Sequence, residues 1–457
     1  MRGERDCVAE GWEPAQQDLL DRLAREEIAH LWVAYADYNG RSQGKSLPRA
    51  RFESTLRNGV TFAQANLGHT VLDIGAPDTM FGAASGDFFA VPDADSYAPL
   101  PLFSATGRVF CWMRHEGGAP WEGDPRWMLQ RQVDALTDLG FTAQVAFEPE
   151  GYLFRVGDDG QPGPADPRGM FTLDGLETNA DLLHRISDAL EAMDVGIEQI
   201  ATEYGPGQFE VNIRHASPIK AAEDLLTVRD VTRALARREG LVASFMPKPF
   251  ETAAGSGLHV HLSLWDRNGE SVMAEPGVHP SGLSAAGRAF LAGLLSHAPA
   301  LAGIGAPTVN SYKRLLPGSW APAHAAYAVG NRSTFVRIPG GARPRIEVRS
   351  GDSTANPYLY LAALLAAGVE GLREGADPGP PAEGDLGHLS REETTARGIA
   401  MLPRRAPEAL DLVEGDVLMR ETLGPVIFAE WLKVKRAEIA LYETTVSPWE
   451  RTAYLRT

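Results

Sequence analysis

At 457 residues, with 44% hydrophobic and 23% charged residues, the chain has the size and composition of a globular protein of two or three domains. A formal net charge of −17 argues against non-specific binding to nucleic acid or to an anionic membrane surface. Because only Cys7 and Cys111 are present and no run approaches the roughly 20 apolar residues that cross a bilayer, we expect no disulfide framework, no membrane span and a cytoplasmic location.

The N-terminal part of the chain predicts a helix followed by short strands. Leucines recur at helical spacing within residues 14–28. A strand is predicted over residues 30–37, and Asn39-Gly40 after it is the strongest short signal for a β-hairpin. Further strand-like pieces lead to residues 109–113.

Residues 115–125 are rich in glycine, proline and charge, which is typical of a domain boundary. We therefore divide the chain into three parts. They are an N-terminal helical segment (1–24), a small α+β domain (25–118) and a large domain (119–457).

Helices and strands alternate in the large domain. A strand is predicted over residues 142–147, ending at a Glu-Pro-Glu sequence. Two helices are expected to close the chain, the last near residues 424–443. The other predicted helices are 126–139, 179–193, 221–239, 285–302 and 357–371.

Acids, histidines and arginines occupy alternate positions of several predicted strands. Alternate side chains of a strand share one face. The sets that share a face are Glu148 with Glu150, His259 with His261, and Arg345 with Glu347 and Arg349. One such set is more often a solvated strand face, but several in one chain favour a binding site, because buried charge is costly unless it is neutralised.

Two further acids, Glu203 and Glu210, flank the turn sequence Gly205-Pro206-Gly207-Gln208, so a tight loop can bring both to one centre. Carboxylate and imidazole ligands suit Mg²⁺ or Mn²⁺, whereas arginines suit phosphates and carboxylates. Together these patterns indicate a protein that transfers a phosphoryl group with divalent metals. Structural ion pairs are the alternative for the arginines, and a satisfied core histidine is the alternative for His261.

The order and spacing of these motifs resemble the glutamine synthetase family, type I, over nearly the whole chain. The motifs are Glu148-Pro149-Glu150, Gly205-Pro206-Gly207-Gln208 with Glu210, Gly255-Ser256-Gly257 with His259-Val260-His261, Asn310-Ser311-Tyr312-Lys313-Arg314-Leu315, Asn331-Arg332-Ser333, and Arg345-Ile346-Glu347-Val348-Arg349-Ser350. The resemblance implies an N-terminal β-grasp domain and a catalytic domain with a curved antiparallel sheet flanked by helices. It also implies a ring assembly, commonly a dodecamer, with active sites between neighbouring subunits.

The resemblance also assigns roles to individual residues. The implied ligands of one metal are Glu150, Glu203 and Glu210, and those of a second are Glu148, His259 and Glu347. The implied ATP contacts are Glu198, His261, Ser263 and Arg337, and the arginines implied to stabilise the transferring phosphoryl group are Arg332 and Arg345. The implied contacts to the amino-acid substrate are Gly255, Arg314, Arg332 and Arg349. Asp37 matches the acid that a neighbouring subunit contributes to deprotonate the amine.

The chain departs from glutamine synthetases in the flap, which reads Pro317-Gly318-Ser319-Trp320-Ala321-Pro322 where the family carries a glutamate that binds ammonium. Trp320 offers an apolar π face suited to an alkylammonium, although it could also merely pack the flap. Ala254 replaces an asparagine that seats glutamate, so a glutamate analogue is an open alternative. A lysine near the nucleotide is missing, and Arg343 is a possible substitute.

These departures favour the γ-glutamyl–amine ligase branch of the family. Such an enzyme joins glutamate to an organic primary amine with ATP and two or three Mg²⁺ (or Mn²⁺) ions per site. Two alternatives stay open. One is a glutamine synthetase that uses ammonia, and the other is a non-catalytic binding or regulatory homologue.

Overall fold

A computed structural model describes residues 14–158, 160–167, 170–275, 277–341 and 344–457. Residues 1–13 of the predicted helical segment and the predicted substitute Arg343 lie outside these ranges. The fold is α+β, as predicted, with two sheets flanked by helices. No helix in the described ranges is both long enough and apolar enough to cross a bilayer.

The first sheet is formed by strands that precede residue 115. They are β1 (His30–Ala36), β2 (Ser42–Pro48), β3 (Val60–Ala63), β4 (Asp87–Pro92), β5 (Ala98–Pro99) and β6 (Thr106–Arg114). Their order is β2-β1-β6-β4-β3, with β5 paired to β6; β1 and β6 run parallel and the other pairs antiparallel. This is the β-grasp arrangement that the resemblance implies, and the Asn-Gly hairpin between β1 and β2 is confirmed.

Gly40 is required in this hairpin for two reasons. Its φ of +70° lies in the left-handed region that favours glycine. A Cβ atom at this position would also lie 2.8 Å from the Ala355 carbonyl oxygen and 2.8 Å from Asn356 Cα. The turn after β1 is therefore pressed against the start of a helix that begins more than 300 residues later.

The second sheet begins after residue 141 and is mainly antiparallel. Its strands are β7 (Thr142–Val156), β8 (Pro162–Pro164), β9 (Ile197–Thr202), β10 (Gln208–Ile213), β11 (Val242–Ser244), β12 (Leu258–Trp265), β13 (Tyr327–Val329), β14 (Val336–Ile338) and β15 (Ile346–Val348). Their order is β13-β14-β15-β12-β7-β10-β9, and β8 and β11 also pair with β7. The strands of the first sheet precede residues 115–125 in the sequence, and those of the second sheet follow them. This order is compatible with the domain limits 1–24, 25–118 and 119–457, which stay a prediction.

Strand β7 is the centre of the second sheet and is longer than predicted. The prediction of a strand ending at residue 147 was wrong, because β7 continues through Pro149 to Val156 while pairing with β10, β11 and β12. Ala143, Val145 and Phe147 are buried in the core. The alternate positions Glu148 and Glu150 are half-buried on the opposite face, which is the face that carries the site.

The described ranges contain twelve α-helices. They are α1 (Pro14–Arg25), α2 (Phe52–Asn58), α3 (Pro125–Asp138), α4 (Leu173–Ala192), α5 (Pro218–Arg238), α6 (Ala285–Ser296), α7 (Ala298–Gly305), α8 (Pro357–Glu374), α9 (Arg391–Ala396), α10 (Ala406–Gly415), α11 (Val417–Glu443) and α12 (Pro448–Tyr454), of which α1 and α2 belong to the N-terminal part. Helix α8 is buried along most of its length and packs against α3, α6, α7 and α11. The Asn356 side chain caps its first turn and Gly375 ends it in the left-handed conformation.

Two predictions about helices were wrong. The helix predicted over 285–302 is broken into α6 and α7 at His297, because Pro299 lacks the N–H that a continuous helix needs. The helix predicted near 424–443 agrees with the second part of α11, which begins after Gly424 (φ +70°) and ends at Glu443, but it is not the last helix of the chain. It is followed by α12, which the sequence pattern did not reveal.

The break at His297 holds an ion-pair cluster that joins α6, α7, α8 and α11. His297 Nδ1 lies 2.7 Å from Asp416 Oδ2, and Nε2 lies 2.5 Å from Glu370 Oε2. Partial burial opposes protonation of the imidazole, but the two carboxylates raise the pKa of His297 to about 9. The protonated form is therefore bound more tightly in the folded state than in the unfolded state, where the pKa is about 6.5.

We expect the contribution of His297 to the free energy of unfolding to be full below about pH 6.5 and to disappear as the pH rises through about 9. The substitution His297→Gln should therefore lower the free energy of unfolding by roughly 1–3 kcal/mol at pH 6.5 and by much less at pH 10. Urea unfolding of both proteins at the two pH values measures this. The exposed pair His115–Glu122 provides a control, since His115→Gln should change stability little at either pH. An equal loss at both pH values would show that His297 acts through packing.

Candidate active site

Six of the acids and histidines that the sequence singles out lie on four neighbouring strands of the second sheet. The strand register places Glu210 of β10 opposite Glu150 of β7, and Glu148 of β7 opposite His259 of β12. His261 of β12 then lies opposite Glu347 of β15. The pairing of β10, β7, β12 and β15 thus converts four separate stretches of sequence into one row of ionisable side chains.

The side chains of this row form a compact cluster. His259 Nδ1 lies 3.4 Å from Glu148 Oε2 and 3.9 Å from Glu347 Oε1, and His259 Nε2 lies 3.8 Å from Glu150 Oε1. His261 Nε2 lies 2.9 Å from Glu148 Oε1. One potential ligand atom from each of Glu148, Glu210 and His259 lies within 4.8 Å of the others, and the same holds for Glu148, His261 and Glu347. We call these residues, with Glu203, the carboxylate cluster.

The acids of the cluster repel one another. Burial and the charges of neighbouring acids, Glu150 foremost, raise the pKa of Glu210 to about 9 and that of Glu203 to about 7. Burial also opposes the ionisation of Glu148 and Glu347. The histidines nonetheless lower the pKa of Glu148 well below its usual range, and His259 with Arg349 lowers that of Glu347 to about 2.

This donor set fits divalent cations. His259 Nδ1 and His261 Nε2 are buried and have no aligned hydrogen-bond partner, although carboxylate oxygens surround both. Buried polar atoms are rarely left in this state unless another group satisfies them. Carboxylate oxygens and imidazole nitrogens are ligands of Mg²⁺ and Mn²⁺, and a cation here would also relieve the repulsion between the acids.

Three of the predicted arginines surround the cluster. Arg337 Nη1 lies 2.7 Å from Glu347 Oε2, and Arg349 Nη1 contacts the other oxygen of the same carboxylate. Arg345 is largely exposed and donates from Nε to His261 Nδ1 at 2.9 Å. Arg337 and Arg345 therefore present positive charge beside the acids, where an anionic substrate would need it.

Arg314 approaches the cluster behind two glycines. Its guanidinium is buried and donates to the carbonyl oxygens of Arg349 (2.9 Å) and Ser350 (3.2 Å). A Cβ atom at Gly255 would lie 2.7 Å from Arg314 Cγ, so only glycine admits this approach. Gly255 and Arg314, to which the resemblance assigns contacts with the substrate, are therefore neighbours in the fold.

Gln208 is a residue of the site to which the sequence analysis gave no role. Its Nε2 donates to Glu150 Oε2 at 3.2 Å and to the Gly255 carbonyl oxygen at 3.0 Å. The Gly257 N–H also donates to Glu150 Oε2, at 2.8 Å. Gln208 thus orients Glu150, and its place in the Gly-Pro-Gly-Gln turn was the signal that could have revealed it.

Four predicted residues have no described side-chain contact with the cluster. Glu198 is exposed on β9, and Ser263 accepts a hydrogen bond from Trp265 Nε1 at 3.0 Å. Arg332 is exposed, but its carbonyl oxygen accepts a hydrogen bond from Arg349 Nε at 3.1 Å, and its positive charge favours the ionised form of Glu203. Asp37 lies directly after β1, and its described carboxylate contacts all come from the hairpin between β1 and β2.

The turn that carries Asp37 is held by several helices. Asp37 is buried, and its carboxylate accepts from Arg41 Nε (2.9 Å) and Gln43 Nε2 (3.0 Å). Asn356 at the start of α8 donates to the Asp37 carbonyl oxygen at 2.7 Å. Lys435 of α11, itself buried, donates to Asn39 Oδ1 at 2.6 Å, and Arg229 of α5 contacts the Gly40 carbonyl oxygen.

Three aromatic side chains from three different loops meet near Glu203. The Tyr204 ring lies 5.5 Å from the Trp320 ring and 6.4 Å from the Phe171 ring. We call Phe171, Tyr204 and Trp320 the aromatic cluster. The sequence analysis singled out only Trp320, and the position of Tyr204 directly after Glu203 was the available signal for a second member.

Comparisons with known proteins agree with this geometry. A model of the glutamine synthetase catalytic domain matches residues 122–454. The glutamine synthetase of Halobacterium salinarum is 33% identical over 448 residues, which cover 96% of either chain. The glutamate–methylamine ligase of Methyloversatilis universalis is 34% identical over 444 residues, which cover 95% of this chain and 97% of that protein.

The fold is also similar to that of solved structures. A GmaS/ADP complex has a TM-score of 0.86 and 31% identity, and the match covers 96% of this chain and 100% of that chain. Enzymes of the matched family use ATP and divalent metal ions. The chain therefore belongs to the glutamine synthetase family of carbon–nitrogen ligases.

Proposed function

We propose that this protein is an ATP-dependent γ-glutamyl–amine ligase, which forms γ-glutamyl phosphate and transfers the acyl group to an organic primary amine. The observation that carries the proposal is the pairing of an intact carboxylate cluster with an aromatic flap. Trp320 occupies the flap position at which glutamine synthetases place an acid for ammonium, and its ring faces Tyr204 at 5.5 Å. A π face suits an alkylammonium better than it suits ammonium in water.

The site residues keep their predicted roles in this proposal. Two or three Mg²⁺ (or Mn²⁺) ions would be held by Glu150, Glu203 and Glu210 and by Glu148, His259 and Glu347. When bound, such ions offset the charge of the phosphates. His259 Nδ1 faces both Glu148 and Glu347, which supports the second group. Glu198, His261, Ser263 and Arg337 are proposed to contact ATP.

The remaining roles concern the acid and the nucleophile. A carboxylate is a poor acyl donor, and phosphorylation of the glutamate side chain supplies a leaving group. Arg332 and Arg345 would stabilise the phosphoryl group in transit, while Gly255, Arg314, Arg332 and Arg349 would seat glutamate. The amine nitrogen then attacks the acyl carbon and must lose a proton to a base.

We propose Asp37 of a neighbouring subunit as that base, in a ring that is most simply a dodecamer. The contacts within one chain support this proposal. Asp37 lies directly after β1, and its described carboxylate contacts come from the hairpin between β1 and β2 rather than from the carboxylate cluster. A second chain would have to bring an equivalent acid to the site.

A glutamine synthetase that uses ammonia is the second candidate, because relatives with that name match this chain at the same level of identity as the methylamine ligase. Phosphate release from ATP with glutamate and either ammonium or a panel of primary amines separates the two, with product mass identifying the amide. Robust turnover with ammonium alone would defeat the proposal. A catalytically silent homologue would show no ATP turnover with any amine.

The flap substitution gives a direct test of specificity. We expect Trp320→Glu to raise kcat/KM for ammonium relative to that for organic amines by about tenfold, because a carboxylate replaces a π face that favours alkylammonium ions. Trp320 is 62% exposed, so the substitution leaves no cavity in the core. Trp449, an exposed tryptophan of α12, provides a matched control as Trp449→Glu. An unchanged ratio would remove Trp320 from the choice of nucleophile.

A further inference from the structure

The aromatic cluster forms an exposed apolar surface next to Glu203 of the carboxylate cluster. Phe171 is 59% exposed, Tyr204 46% and Trp320 62%. Single exposed apolar residues are normal, but a contiguous group usually marks a binding surface. These three come from separate loops, so their meeting is a property of the folded site.

The backbone at two of the three rings is strained. Phe171 has a φ of +55° and Trp320 a φ of +62°. They are the only aromatic residues with positive φ in the described ranges, and this region is rare for bulky side chains. Such strain persists where the surrounding structure imposes it, commonly at ligand sites.

The cluster is tied to the carboxylate cluster through backbone contacts. The Tyr204 N–H donates to Glu203 Oε2 at 3.3 Å, and the Phe171 N–H donates to the Thr202 carbonyl oxygen at 3.3 Å. An ammonium group beside the Glu203 carboxylate would therefore have aromatic faces next to its carbon substituent. This arrangement is suited to a cation with an apolar body.

A pocket of about 380 Å³ adjoins Trp320 and provides space for that body. It is lined by the flap and by two further loops that include Arg332, Ser333 and His388. Asp385 is the one acid among the described lining residues, and it is engaged by the Gly387 N–H at 2.8 Å and by His388 at 3.5 Å. A second ammonium group would meet the positive charge of Arg332 here, which disfavours diamines and polyamines.

We propose that the preferred nucleophile is a monoamine with an apolar, best an arylalkyl, substituent. This inference rests on the proposed function and names its substrate class. The new C–N bond forms between the amine nitrogen and the γ-carbonyl carbon of glutamyl phosphate. The C–O bond to phosphate breaks and phosphate leaves with the electron pair. The nitrogen of the bound ammonium ion gives two protons to carboxylate bases, one before its lone pair attacks and one as the amide forms.

The first experiment compares nucleophiles with the intact protein. With glutamate, ATP and Mg²⁺ held constant, kcat/KM is measured for ammonium, methylamine, putrescine and 2-phenylethylamine, with product mass identifying each amide. We expect 2-phenylethylamine to exceed both putrescine and ammonium by about tenfold or more, the effect of one or two desolvated ring contacts.

The second experiment tests the rings. Phe171→Ala and Tyr204→Ala should each raise KM for 2-phenylethylamine about fivefold to tenfold while changing KM for methylamine less than about twofold. The values of kcat should change little, because the rings bind the substituent rather than the reacting atoms. Trp449→Ala removes a comparably exposed ring that packs on Tyr454 of α12, and it should leave all these constants unchanged.

The outcomes separate this inference from the proposed function. A preference for putrescine, or equal KM changes for both monoamines in the ring variants, would overturn the inference while leaving an amine ligase. Turnover with ammonium alone, or with no nucleophile at all, would overturn both. A preference for 2-phenylethylamine that the ring variants selectively weaken would support both.

Discussion

Replacing Glu347 by glutamine is expected to lower kcat for ATP-dependent amide formation by at least about 10²–10³-fold. Glu347 is fully buried, lies opposite His261, and has one oxygen within 3.9 Å of His259 Nδ1. Glutamine keeps the volume and one acceptor oxygen but removes the negative charge that a divalent cation requires. The defect should appear in metal binding as well as in turnover.

Two measurements check this expectation. Phosphate release with glutamate, an amine, ATP and Mg²⁺ gives the rate, and Mn²⁺ titration followed by electron paramagnetic resonance gives metal affinity without relying on turnover. Glu347 also pairs with Arg337 and Arg349, so the thermal unfolding midpoint and the assembly size must be compared with those of the unchanged protein. Wild-type turnover and Mn²⁺ affinity in Glu347→Gln would remove Glu347 from the proposed metal ligands.

A matched control is available outside the site. Glu370 also pairs with a cationic side chain, His297, but lies on α8 away from the carboxylate cluster. Glu370→Gln should affect stability through His297 and leave Mn²⁺ affinity and kcat unchanged. Loss of activity in both variants would instead point to a general effect of removing a paired carboxylate.

Replacing Arg126 by methionine is expected to lower the free energy of unfolding by about 3–5 kcal/mol, because it leaves two carboxylates without their cation. The Arg126 guanidinium is buried and lies 2.5 Å from Glu223 Oε1 and 2.6 Å from Asp93 Oδ2. It also stacks over the Trp112 ring at 3.7 Å. These contacts join α3 and α5 to strand β6 of the first sheet and to the loop after β4.

Urea unfolding followed by tryptophan fluorescence measures the loss. Arg22 provides a matched control, since it also pairs with an acid (Glu26, 2.8 Å) and lies over a ring (Tyr97, 4.6 Å), but its side chain is about half exposed. Arg22→Met should cost about 1 kcal/mol or less. The double substitution Arg126→Met with Glu223→Leu should recover part of the loss, because the second change removes one of the two buried carboxylates that the first leaves unpaired. A cost for Arg126→Met as small as that for Arg22→Met would show that burial adds nothing to this pair.

The row of ionisable residues was predictable because strand alternation is a local property. Glu148 and Glu150, or His259 and His261, share a face whatever their strands pair with. Which strands become neighbours is not local, since β12 lies between β7 and β15 although β15 follows it by more than 80 residues. The contact of His261 with Glu148, and the approach of Arg345 to His261, therefore required the folded sheet.

The aromatic cluster was even less predictable from the sequence than the neighbours of each strand. Phe171, Tyr204 and Trp320 lie in loops, where no periodic pattern relates one side chain to another. Trp320 was found only because it replaces an acid in a recognisable motif. The break between α6 and α7 was missed for the opposite reason, since a continuous apolar pattern concealed the effect of Pro299.

The contacts around the Asp37 turn mean that the placement of this carboxylate is set by residues remote in sequence. Lys435, Asn356 and Arg229 all act on a stretch of four residues near the N-terminus. We therefore expect a substitution at Lys435 to displace the Asp37 carboxylate as well as to lower stability. Under the role proposed for Asp37, variation in the last tenth of the chain would alter proton removal at a centre that it never touches.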